Sequence, residues 1–134
     1  MIFFALYLVI KVIGTTMLVL AQKQVLKFLN QHQFIENWSD LEDFKNLVRP
    51  QMYAALWSIP LMLIGLGMFF ISLRRIGPTL FLPFLLLEIV TLILAEIGKK
   101  AERRSRNLIC TTEELEFKYQ QICKSWTNDA FPKF

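Results

Sequence analysis

A chain of 134 residues that is 54% hydrophobic and 19% charged departs from an ordinary soluble domain, which averages about 45–50% apolar and about 25% charged. Its mean hydropathy of +0.42 understates the departure, because the apolar residues are gathered into three nearly continuous runs, 2–21, 51–73 and 79–97. Each run is close to the roughly 20 residues that cross a bilayer as a helix, and a soluble chain this short has no interior able to hide three such helices.

The length supports one domain. The expected fold class is all-α: a polytopic membrane protein with three transmembrane helices plus short amphipathic cytoplasmic helices. Its parts are a transmembrane domain over 1–98, with spans near 2–21, 51–73 and 79–97 and an amphipathic connection at 22–50, and a basic cytoplasmic helical tail over 99–134.

The first run has no basic stretch ahead of it and no A-x-A pattern before Gln22, so it reads as a retained span and not a cleaved leader. Its apolar residues surround the helix, which favours a span over a helix lying flat at the interface. Lys11 stands in its middle.

The 22–50 connection carries Lys23, Lys27, Lys45 and Arg49. Ser39 and Glu42 have capping-box spacing. Leu41, Phe44, Leu47 and Val48 follow on one face, and Arg49-Pro50 is expected to close this short surface helix. The acidic cluster Asp40, Glu42 and Asp43 reads as a solvated helix face.

The second run has Tyr53 and Trp57 near one end and Phe69 and Phe70 near the other, as an interfacial aromatic belt would. Pro60 predicts a kink there, and Pro83 another in the third run. Gly65 and Gly67 permit close helix approach without forming GxxxG. Arg74-Arg75-Ile76-Gly77-Pro78 makes the turn into the third run.

The third run contains Glu88 and ends near Glu96; Lys99, Lys100, Arg103, Arg104 and Arg106 follow at once. Basic residues directly after a span attract anionic headgroups, at about 1 kcal/mol per residue. This cluster is therefore assigned to lipid headgroups and not to nucleic acid, despite a pI near 9.2. Thr111 and Glu114 then open a last helix. On it Leu115, Tyr119, Ile122 and Trp126 repeat at four, three and four. This stripe is a candidate partner-binding face, with lipid or the chain's own inner helix as alternatives.

Basic residues favour the cytoplasmic side. Both the 22–50 connection and the tail are basic, against only Arg74 and Arg75 opposite. The expected placement is an inner, plasma or organelle membrane, with the N-terminus outside and the tail cytoplasmic. Spans one and three then run in the same direction.

Lys11 is the tenth residue of window 2–20 and Glu88 the tenth of window 79–97. The two opposite charges are thus expected level with one another near the midplane. Each alone would cost about 2.5–3.5 kcal/mol on insertion scales. They read as an intramembrane charge pair, within one chain or between neighbours; snorkelling of Lys11 and a wet cavity are the alternatives. Glu96 lies within about 80° of Glu88 on a helix, so Glu88 and Glu96 together are a candidate ion or proton path. The plainer reading of Glu96 is a surface pair with Lys99 or Lys100.

No cofactor is expected and no catalytic or metal site is assigned. The one histidine, His32, lies outside the apolar runs, and Cys110 and Cys123 are thirteen apart without histidine neighbours. On the cytoplasmic side both thiols should stay reduced, and Cys110 is at most a weak S-acylation candidate. No phosphate loop or nucleophile arrangement is legible.

The expected function is non-enzymatic: a small structural, accessory or assembly subunit of a membrane complex. The expected partners are anionic lipids and either further copies of the chain or other membrane subunits. The alternatives are a homo-oligomeric pore or channel, holin-like or of a toxin or defence type, and a small ion or proton transporter. The holin-like organisation rests on topology alone, and the 22–50 connection is long for it.

Overall fold

The computed structural model describes residues 2–132 and 134. Four α-helices carry the chain: α1 (Ile2–Gln31), α2 (Trp38–Ile76), α3 (Phe81–Ser105) and α4 (Glu113–Asn128). Two short strands, β1 (Phe34–Ile35) and β2 (Ile109–Cys110), pair in parallel, Phe34 with Ile109 and Ile35 with Cys110. The first three helices are long and apolar enough to cross a membrane.

These helices outrun the bilayer. At 1.5 Å per residue, the 30 residues of α1 and 39 of α2 reach about 45 and 58 Å, against a hydrocarbon core of about 30 Å. The excess lies at one end, where α1 finishes and α2 begins. The separate surface helix expected over the second half of the connection is instead the first third of α2. Pro50 does not end it; both Pro50 and Pro60 lie inside α2. Each proline leaves the carbonyl four residues earlier without its helical donor. Around Pro50 the helix is held by its buried face: Leu41, Phe44, Leu47, Val48 and Met52 all enter a core.

The cap of α2 also differs in register. Asn37, not Ser39, is the N-cap: its Oδ1 accepts from Asp40 N at 2.9 Å, and Asp40 Oδ2 accepts from Asn37 N at 3.3 Å. Asp40 Oδ2 also accepts from Glu36 N at 2.9 Å. Asp40 is therefore a capping residue and not simply part of a solvated face. The cap of α4 is Thr112 rather than Thr111, its hydroxyl accepting from Leu115 N at 3.4 Å. Pro83 falls in the first turn of α3, where its missing N–H breaks no helical bond. Gly77, at φ 99°, turns α2 into a short 3-10 segment over Pro78–Leu80; this left-handed φ favours glycine.

The three spans bury little against one another: 6%, 11% and none of their most apolar stretches is buried. The core lies at the α4 end. Phe44 of α2 sits at its centre, with ring centroids 5.6 Å from Phe28, 4.8 Å from Tyr119 and 6.1 Å from Trp126. Tyr119 donates its hydroxyl to Ser105 O at 2.5 Å and accepts from Leu108 N at 3.1 Å, fixing the turn after α3. Thr111 N donates to Ile35 O at 3.1 Å and so ties this turn to β1. The basic run after Ile97 continues α3 to Ser105, and the tail beyond it packs on the ends of α1 and α2.

Candidate functional site

The order of contacts fixes how the spans run. Tyr7 meets Phe84, Lys11 meets Glu88, and Gln22 meets Leu94, so α1 and α3 are parallel. Tyr7 meets Phe69, Ile10 approaches Gly65, and Gln51 meets Ala21, so α2 is antiparallel to α1. Gly65 is buried, and a Cβ there would lie 3.5 Å from Ile10 Cγ2, an ordinary contact.

Lys11 Nζ donates to Glu88 Oε2 at 2.6 Å. Tyr7, one turn before Lys11 on the same helix face, donates its hydroxyl to Glu88 Oε1 at 3.3 Å. Both carboxylate oxygens thus have donors from α1. Tyr7 is itself buried, flanked by Phe4, Phe69 and Phe84 at centroid distances of 6.0, 5.9 and 5.7 Å. Phe69 and Phe84 stack at 3.7 Å. These rings enclose the Tyr7 that serves the pair. The pair itself is only partly covered: the Lys11 side chain is 19% exposed and that of Glu88 33%.

A charge-assisted bond of this length is strong where water is excluded. Its net value is small, because each ion must first be stripped of water. What the arrangement does is set register. Sliding α3 along α1 by one turn would part the charges by about 5 Å and leave each alone among apolar side chains.

One polar layer lies farther along the spans. Gln22 Nε2 donates to Leu94 O at 2.6 Å, joining α1 to α3. Gln51 Nε2 donates to Ala21 O at 3.0 Å, joining α2 to α1. A Cβ at Gly98 would lie only 2.5 Å from Gln22 Nε2, so glycine there is what lets the amide seat on α3. Sequence reasoning missed Tyr7, Gln22 and Gln51. Tyr7 carried a signal, its spacing of four from Lys11; the glutamines sit at the ends of apolar runs, where polar residues are ordinary.

The other assigned residues fall elsewhere. Glu96 pairs with Lys99 at 3.8 Å on the exposed surface, and no contact joins it to Glu88 among the described residues. Lys99, Lys100, Arg103 and Arg104 are exposed on the extension of α3. Arg106 is not free for headgroups in the way expected: it turns to α4, donating to Thr127 Oγ1 at 2.7 Å and pairing with Glu102 at 3.3 Å. Leu115, Tyr119 and Ile122 are buried and Trp126 packs against them, so the stripe assigned to a partner is covered by the chain's own core. His32 lies 3.5 Å from Asp40 Oδ1 and 3.7 Å from Asp43 Oδ2. Among the described residues, no group of three or more His, Cys, Asp or Glu could hold a metal.

Burial pushes the Cys123 thiol up to about 11, against opposing effects from its hydrogen bond with Tyr119 and the nearby Arg106 charge. Burial also raises Tyr119, and raises Cys110 with help from the Glu116 charge. Comparison with known proteins finds no matching family model, curated protein or solved structure.

Proposed function

We propose that this chain is a non-enzymatic structural or assembly subunit of a membrane complex, seated with its N-terminus outside and its α4 end cytoplasmic. One observation carries the reading. The Lys11–Glu88 pair is satisfied within the chain, yet the chain leaves about a fifth of the Lys11 side chain and a third of the Glu88 side chain uncovered. Ions facing lipid are costly, so a neighbouring helix laid over this side of α1 and α3 would be favoured. The spans bury little within one chain, which leaves their outer faces available to lipid and neighbours alike. The orientation follows the basic residues at the α4 end, with only Arg74 and Arg75 opposite.

The same partial exposure of Glu88 supports a second reading, a ring of identical chains with Glu88 toward a water-filled pore. Mass in a mild detergent separates the two. Extraction from its native membrane with unrelated chains bound supports the subunit. A homogeneous ring in which Glu88→Cys reacts with a water-soluble thiol reagent supports the pore and overturns the subunit reading.

A further inference from the structure

We propose that the open cleft between the end of α3 and α4 binds a phosphate-ester anion. The cleft has a volume of about 380 Å³, and its lining holds three cations and no carboxylate. Arg103 and Arg106 come from α3 and the residue after it, Lys124 from α4, and the amides of Asn107, Gln120 and Asn128 complete the rim. Guanidinium and ammonium groups among amide donors are the set that phosphate oxygens bind.

The cations differ in their state. Arg106 is pinned: Thr127 and Glu102 hold its two terminal nitrogens, and its guanidinium carbon lies 5.8 Å from the centre of the Trp126 ring. Its buried Nε has no acceptor. The side chains of Arg103 and Lys124 are exposed, and neither makes an ion pair or hydrogen bond among the described residues. Cations at a helix C-terminus favour the helix dipole, and this accounts for Arg103 and Arg106. It does not account for Lys124, which faces them from another helix.

Position sets the ligand class. Arg103 lies six residues past Ile97, about 9 Å beyond the apolar run along the helix. The headgroup layer is about 5–8 Å deep. The cleft therefore sits at the outer edge of the headgroups, where a phosphate carried on a headgroup or on a soluble molecule can reach it. Lys99 and Lys100, although nearer the bilayer, do not line it.

The test uses the full chain in a neutral detergent at about 0.15 M salt, with two probes: inositol trisphosphate in solution, and a short-chain phosphoinositide bisphosphate in mixed micelles. Thermal unfolding is followed against probe concentration. Saturable stabilisation by either probe is expected. The Arg103→Ala/Lys124→Ala double variant, whose side chains are exposed, should weaken it at least tenfold, while Lys99→Ala/Lys100→Ala should change it less than twofold. A response to both probes makes the phosphate ester the recognised unit; a response to the micellar probe alone assigns a lipid headgroup. No saturable shift with either probe, or equal loss in both double variants, overturns the site and leaves only diffuse attraction.

Discussion

Seventy-seven positions separate Lys11 from Glu88 in sequence, yet their charged atoms lie 2.6 Å apart, and Tyr7 supplies the carboxylate with a second donor. The pairing makes two parallel spans a registered unit. Removing one ion should therefore do more harm than removing both. Lys11→Leu or Glu88→Leu should destabilise the chain in detergent by about 1–3 kcal/mol, below the roughly 3–5 kcal/mol of an enclosed pair because this one is partly open. The double leucine variant should recover most of that loss in a thermal melt.

Tyr7→Phe keeps the ring contacts and deletes one donor to Glu88. A loss of about 1 kcal/mol is expected, and it should vanish in a Glu88→Leu background, where the hydroxyl has no carboxylate to serve. Additive losses would show that the tyrosine acts through packing alone.

Gly98 and Gln22 form a second coupled pair. Alanine in mid-helix ordinarily gains about 1 kcal/mol over glycine. Here its Cβ would fall 2.5 Å from Gln22 Nε2 and displace the amide from Leu94 O. Gly98→Ala should destabilise the native chain and stabilise a Gln22→Ala chain, a reversal of sign readable by differential scanning fluorimetry.

The α4 core should be labile to alkali. Burial pushes the Cys123 thiol up to about 11, against an ordinary 9.0, and also raises Tyr119 above its ordinary 10.0. Below pH 9 both states hold the thiol proton and stability is intact. Above pH 9 the unfolded chain ionises first, so stability falls as pH rises toward about 11. Cys110, also raised by burial, would keep an onset near 9, so the comparison is made in a Cys110→Ser background: there Cys123→Ala should move the onset up toward pH 10, where tyrosine takes over, and an unchanged onset would exclude the thiol.

The three spans are legible from run length, and Lys11 and Glu88 stand out because each interrupts an apolar window. Their contact depends on the third dimension. The continuity of α2 through Pro50 is not legible, because local rules end a helix at proline while buried contacts from Leu41 to Met52 hold it together. Cap registers shift because Ser39–Glu42 and Asn37–Asp40 both fit the spacing, and only the fold shows that the second pair is the one used. The stripe on α4 shows that it needs cover; that the cover is Phe44 and its neighbours requires the fold. Lys124 lies on α4, away from the basic run of α3, so nothing local links it to Arg103.

The most direct measurement is thiol cross-linking between cysteines placed at 11 and 88, with a membrane-permeant bis-maleimide whose reach matches a lysine and a glutamate side chain end to end. In a Cys110→Ser/Cys123→Ser background, Lys11→Cys and Glu88→Cys in one chain should be joined in native membranes within that chain, seen by mass spectrometry of the joined peptides. Parallel first and third spans, with the two charges level and facing, require that link. Failure of 11 and 88 to join, or joining only between two chains, would contradict the paired arrangement.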